Sequence, residues 1–341
     1  MSENFMERYA CERISPETQV ARRLKRTGHR YDRRFGSLYL VLDCETATLP
    51  CAIQYAEAQR KTIAIAKPLI YDLGWQIIDR TGRVHARKSY LINEIFNTPS
   101  IFNTGYYAEK RPAYLEKLSR GEIILTDWAT AISDFVADMA EVVAVGAYNA
   151  MFDFKKAIPF TELYMSKLYS TTAGELNSWM EEQEAVCHHL ATGARRENPN
   201  PRGFEPDVFR FRGQCYKLFC LWGMACANLL DCDEYRSLCL ENEWKTESGK
   251  FFKTSAEVTF RFISGDNDFI EAHTAIEDAI IESAMFALIY ERETIARKKA
   301  SKEPDYEPSP MLWEQGIKHF PFRMVGRYDH YELQMEEQAI A

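Results

Sequence analysis

SLYLVLDCET, residues 37–46, is a short apolar run, Leu38 to Leu42, that ends in two carboxylates one residue apart, Asp43 and Glu45. Gly36 precedes it and a Thr/Pro-containing loop follows. An unbroken β-rich run of this length predicts a central strand buried on both faces. Side chains alternate along a strand, so Asp43 and Glu45 point the same way. Two carboxylates side by side at the end of a buried strand are costly unless a cation sits between them. Asp-x-Glu is a common tripeptide, so the pair acquires meaning only if the chain supplies further ligands.

The chain has 341 residues, enough for one large or two modest domains. Its 46% hydrophobic and 27% charged content is that of a water-soluble globular protein. A net charge of −8 excludes a globally basic nucleic-acid binder, so any such contact must use local patches. No apolar run reaches the roughly 20 residues of a membrane span. The start, MSENFMERYACERIS, lacks the apolar core of a signal peptide, and nine cysteines form no paired framework. A cytoplasmic protein with reduced thiols and no membrane partner is expected.

Residues 1–36 read as an extension before the first strand. Within them, Ala21–Arg34 holds seven Lys/Arg against one Asp. This is either a solvated arm or one that contacts phosphates. After the opening strand, residues 51–66 look helical or irregular. Leu69–Asp79 and Arg83–Ile92 read as strands joined by Arg80-Thr81-Gly82, so the first three strands form an antiparallel meander. Tyr106–Arg120 is mixed helix and turn, with Pro112 favouring a break. Apolar residues at 128, 132, 135, 136 and 139 predict a helix over Thr126–Glu141. Val142–Tyr148 reads as a fourth strand, and Asn149 as the cap of a helix whose first turn carries Asp153.

Leu163–Leu190 reads as largely helical and Ala191–Gly213 as a long loop. That loop holds Arg195, Arg196, Arg202, Arg210 and Arg212, candidates for phosphate contacts, and Phe204, Phe209 and Phe211, candidates for base stacking. Tyr216–Leu229 reads as an apolar helix, and Asp231–Glu241 as another. Thr254-Ser-Ala-Glu257 and Thr274-Ala-Ile-Glu277 have the pattern of capping boxes opening two further helices, the second running from Ala275 to about Ala296. The tail begins RKKASK and turns proline-rich, as expected of a linker followed by a docked or free segment. Cys187, His188, His189, Cys215 and Cys220 tempt a zinc reading, but their spacing matches no common finger and buried thiols behave as small hydrophobes.

Three segments remain. They are Asp43-Cys-Glu45 at a strand end, Asn149-Ala-Met-Phe-Asp153 after the fourth strand, and His273-Thr-Ala-Ile-Glu-Asp278 at a helix start. Asp278 lies in a first turn, where its charge also suits the helix dipole. Four acids converging in one pocket call for hard divalent cations, and oxygen ligands select Mg²⁺ or Mn²⁺. In this order, LVLDCET, VGAYNAMFD and AHTAIEDA resemble the DEDDh 3′–5′ exonucleases, the superfamily of polymerase proofreading subunits, RNase T and oligoribonuclease. The His-x4-Asp spacing marks its histidine branch.

The resemblance covers residues 37–296. It implies an α/β ribonuclease H-like fold, a mixed five-stranded sheet flanked by helices, with insertions near 47–68 and 160–214. Residues 1–36 and 297–341 lie outside it. It also implies two Mg²⁺ or Mn²⁺ ions held by Asp43, Glu45, Asp153 and Asp278, with Asp43 bridging. His273 is implied as the general base, and Thr46 and Asn149 as contacts to the terminal nucleotide. The implied partner is the 3′ end of single-stranded DNA or RNA, DNA favoured, with replication proteins as further partners. An RNA-trimming, oligoribonuclease-like enzyme and an inert nucleic-acid-binding module on the same fold are the competing readings. The long insertions and the segment YYAEKRPAY also resemble exonucleases encoded by bacteriophages.

Overall fold

The computed structural model describes residues 37–192, 208–300 and 320–340. The N-terminal arm and the Arg195/Arg196/Arg202/Phe204 part of the predicted loop lie outside these residues.

The opening run forms β1 (Leu38–Ala47). After a 3₁₀ turn at Pro50–Gln54 and the helix α1 (Glu57–Ala66), the chain forms β2 (Leu69–Asp79) and β3 (Val84–Ile92). Two one-turn helices lead to α2 (Arg111–Ser119), β4 (Ile124–Thr126), α3 (Trp128–Met139) and β5 (Ala144–Ala147). Next come α4 (Ile158–Ser170), α5 (Ala173–Ala191), β6 (Val208–Phe211), β7 (Gln214–Cys220) and α6 (Leu221–Asn228). The last described helices are α7 (Asp233–Glu241), α8 (Ala256–Ser264), the long α9 (Ala275–Ala300) and α10 (Tyr328–Ile340).

The strands make one mixed sheet in the order β4-β3-β2-β1-β5-β7-β6. β1, β2 and β3 are the expected antiparallel meander, and β5 and β7 follow parallel to β1. The sheet thus has seven strands, not the five expected. Both additions are edge strands: β4, three residues beside β3, and β6, an antiparallel partner of β7. β4 is too short to show a period. β6 lies inside what read as loop, and it buries Phe209 and Phe211, so these rings are core and not base-stacking surfaces. Tyr216–Leu229 is likewise not one helix. Its first part is β7 and only Leu221–Asn228 is helical, because a continuous apolar run fits either element.

The two faces of β1 belong to two cores. Leu38, Leu40, Leu42 and Cys44 pack with Trp75, Phe135 and Phe154 on one side. Tyr39 and Val41 pack with Met285, Phe286 and Ile289 of α9 on the other. The period of two therefore puts Asp43 and Glu45 on the α9 side. Covered on both faces, β2 is buried over all 11 of its residues.

Local chemistry accounts for the other departures. Pro112 does not break a helix; it sits in the first turn of α2, where its missing N–H costs nothing. The cap of α8 is Ser255, whose hydroxyl accepts from Val258 N–H, while Thr254 Oγ1 accepts instead from Trp222 Nε1 at 2.8 Å. The tail docks: Tyr328 is buried, its N–H donates to the Lys250 carbonyl, and its ring meets Phe252 edge-on.

Candidate functional site

Glu45, His273 and Asp278 come together, with one potential ligand atom from each lying within 4.8 Å of the others. Three elements place them. β1 carries Glu45 near its end, next to a register shift between Glu45 and Thr46 against β2, and such irregularities re-aim side chains beside sites. α9 brings Asp278 in its first turn. His273 precedes that helix with φ of 51°, a left-handed backbone that a non-glycine residue adopts at a cost of about 1–3 kcal/mol.

The helix start reaches the strand because β2 has glycine opposite Asp43. A Cβ on Gly74 would lie 2.4 Å from the Ile276 nitrogen, so only glycine lets α9 seat backbone against backbone. Two residues earlier on β2, Asp72 accepts a 2.9 Å hydrogen bond from Ala275 N–H, an orphan donor of the first turn. Thr274 donates to Glu277 Oε2 rather than capping an N–H.

Asp43 and Asp153 fall outside that group of ligand atoms and are linked to it only through charge. Burial raises the Asp43 pKa well above the usual carboxylate range, reinforced by Asp278 and then Asp153. Burial likewise raises Glu45, with Asp43 adding to it. Asp153 opens a π-helical turn, Asp153–Ala157, a deformation common at functional sites. It is buried, and desolvation pushes its pKa to about 7. Cys44, on the opposite face of β1 from Asp43, donates its thiol to Asp153 Oδ1 at 2.9 Å and opposes that rise. Asp278 is pushed up to about 9 by burial, then by Glu271 and Glu45, and its buried Oδ1 has no hydrogen-bond partner.

His273 Nδ1 is 3.7 Å from Glu271 Oε2 and 3.9 Å from Asp278 Oδ2. Burial, followed by the charge of Lys110, lowers its pKa and so favours the neutral imidazole. Its ring stacks on Tyr107, with centroids 4.3 Å apart and planes at 14°. Lys110 fixes the approach by donating to the Ala272 carbonyl at 2.6 Å while lying over the Tyr107 ring.

Tyr107, Lys110, Asp72, Glu271 and Glu282 complete the site without having been singled out in the sequence. Glu282 is buried, accepts from Tyr148 N–H at 3.1 Å, and is raised by burial and then by Asp43. Its signal was legible: it lies four residues after Asp278 on one helix face. Asp72 was a lone charge inside an apolar run. Tyr107 and Glu271 had no spacing to reveal them.

The two nucleotide-contact candidates differ in placement. Thr46 is half-buried beside Glu45, where the Gly105 backbone approaches its carbonyl. Asn149 is exposed at the start of the Ala150–Phe152 turn and makes no side-chain cap there. Arg212 of the predicted loop pairs with Glu162 at 2.7 Å.

The donor set suits a hard cation: it is made of carboxylates and one imidazole, one buried oxygen lacks a partner, and burial raises the pKa values of Asp153 and Asp278 in a site a cation would neutralise. No described helix is long and apolar enough to cross a membrane. Comparison with family profiles, curated proteins and solved structures finds no match to this chain.

Proposed function

We propose that this chain is a metal-dependent 3′–5′ exonuclease, a phosphodiester hydrolase acting on the 3′ end of single-stranded nucleic acid, DNA favoured. The observation that carries the reading is the convergence of Glu45, His273 and Asp278, with Asp43 close enough to feel the charge of Asp278 and Asp153. The three sequence segments lie 110 and 125 residues apart by numbering, from Asp43 to Asp153 and from Asp153 to Asp278, so their meeting is a property of the fold. A ribonuclease H-like core of β3-β2-β1-β5-β7, extended by an edge strand on each side, accommodates the observed sheet.

Asp43, Glu45, Asp153 and Asp278 would hold two Mg²⁺ or Mn²⁺ ions. Such ions supply charge neutralisation at the phosphodiester and a lowered pKa for bound water. The protein's own contribution is positional. His273, neutral and fixed by its stack on Tyr107, accepts a proton from the attacking water. Lys110 beside it offers a cation to a phosphate oxygen. Thr46, next to Glu45, is placed to touch the terminal nucleotide, and Asn149 is the second such candidate. A phage-type role in nucleic-acid metabolism, with replication proteins as partners, accords with this chemistry.

End-labelled single-stranded DNA and RNA, incubated with the protein in Mg²⁺ or Mn²⁺ and in chelator, test the reading. Stepwise shortening from the 3′ end is expected with either cation and not with chelator. It should be lost in folded Asp43→Ala and His273→Ala proteins. Shortening of RNA alone would assign an RNA-trimming enzyme. No shortening of either polymer would leave a binding module. Full activity in a folded His273→Ala protein would refute the general-base role.

A further inference from the structure

Helix α5 is lightly held. Of its 19 residues only Trp179 and Cys187 are buried. Trp179 anchors the first half against Phe160 and Tyr164. The second half faces the 3₁₀ turn after β1 and the end of α1, and the contacts there fall on consecutive turns of one helix face. Lys67 Nζ donates to Gln183 Oε1 at 2.9 Å and Gln54 Nε2 to Glu184 Oε1 at 3.3 Å. The thiols of Cys51 and Cys187 lie 3.3 Å apart. Cys51 is partly open to solvent and Cys187 is buried beneath it.

We infer that Cys51 and Cys187 are a redox-modified pair that reacts with hydrogen peroxide and closes to a disulfide, latching α5 onto the turn that follows β1. The inference stands apart from the proposed nuclease activity.

The pair has the asymmetry that such chemistry needs. One thiol is reachable and its neighbour waits behind it. Their contact lowers the pKa of the Cys51 thiol and raises that of Cys187, which places the first negative charge on the exposed sulfur. In the first step Cys51 thiolate attacks one peroxide oxygen and the O–O bond breaks. The products are Cys51 sulfenic acid and hydroxide, which takes a proton to become water. In the second step the Cys187 sulfur attacks the sulfenic sulfur. The S–OH bond breaks, the S–S bond forms, and the hydroxyl leaves as water with the Cys187 proton. Two electrons from the thiols thus reduce one peroxide to two waters. Closing a 3.3 Å contact to a bond of about 2.05 Å asks little movement of a short 3₁₀ turn. The bridge would tie residues 136 apart in sequence and add a covalent tie to the half of α5 now held by two side-chain hydrogen bonds and the packing of Cys187, Leu190 and Ala191.

Full-length protein is treated with hydrogen peroxide, alkylated with iodoacetamide and digested without reductant. The expected product is a peptide pair joined through Cys51 and Cys187, absent after dithiothreitol. In the intact oxidised protein, backbone hydrogen exchange over 183–191 should slow by about tenfold or more and recover on reduction. Cys187→Ser should show no such change with peroxide, whereas Cys215→Ser should respond like the parent. Three results overturn the pair: both thiols still fully alkylated after peroxide, Cys51 stopped at the sulfinic acid, or Cys187 joined to a different cysteine. A Cys51–Cys187 bridge with unchanged exchange over 183–191 overturns the latch.

Discussion

The thiol of Cys44 donates to Oδ1 of Asp153 across 2.9 Å, joining the inner face of β1 to the turn after β5. Both residues are buried. Cys44→Ala would leave a buried carboxylate oxygen without its donor. The expected cost is about 1–3 kcal/mol in urea denaturation. Cys44→Ser keeps a donor and should recover part of it. Equal stability of the parent and the alanine variant would show that the bond carries nothing.

Asp72 and Ala275, 203 residues apart, are joined by a carboxylate on β2 and the first N–H of α9. Hydrogen bonds to charged groups contribute about 1.5–3 kcal/mol. Asp72→Ala should lose about that much, and Asp72→Asn, which still accepts, should lose less. Denaturation midpoints at pH 7.5 compare the three, because the Asp72 pKa, raised by burial to about 6, leaves it ionised there.

Gly74→Ala places a methyl 2.4 Å from the Ile276 nitrogen, where backbone must shift. A loss of about 1–3 kcal/mol is expected. Because the same shift would carry Asp278 away from Asp43, the variant should also lose stabilisation by Mn²⁺. A variant that keeps the parent's full Mn²⁺ response would disprove the seating role of Gly74.

Stability should fall with rising pH when no divalent cation is present. Carboxylates of the unfolded chain lose their protons near pH 4. Asp153 and Glu271 hold theirs to about 7, and Asp278 to about 9. Between those values the folded protein binds more protons than the unfolded chain. The stabilisation from this uptake is full below about pH 4 and is lost as the pH climbs through 7 to 9. Mn²⁺ or Mg²⁺ would replace the protons, so their effect on the melting temperature should grow from pH 5 to pH 8.5. Thermal melts in chelator and in cation measure both trends; no cation effect at pH 8.5 would exclude a metal site here.

The meander and the helices with clear 3.6-residue spacing were legible because each is a long element with one dominant period. Glu45, His273 and Asp278, which the fold brings together, could be singled out because each sits at the terminus of an element. β4 and β6 were hidden, the first by its length of three residues and the second by its place in a stretch of turn-forming composition. β7 and α6 merged into one run because apolar residues without gaps carry no period. The side chains that tune the site were silent for a different reason. Tyr107 acts through a contact between distant segments, which no local pattern encodes, Glu271 is a lone acid outside any motif, and Cys44 looked like any small core residue until Asp153 arrived beside it.

Position 273 sets chemistry against fold. Its φ of 51° is one that glycine adopts freely and histidine does not. At most sites in a chain alanine is the gentler replacement; here it would keep the backbone strain and also forfeit the ring stack with Tyr107. His273→Gly should therefore melt above His273→Ala, by the equivalent of about 1 kcal/mol. Selection for heat resistance alone would be expected to erode the histidine, so its presence in a left-handed backbone points to a different selective demand on this residue.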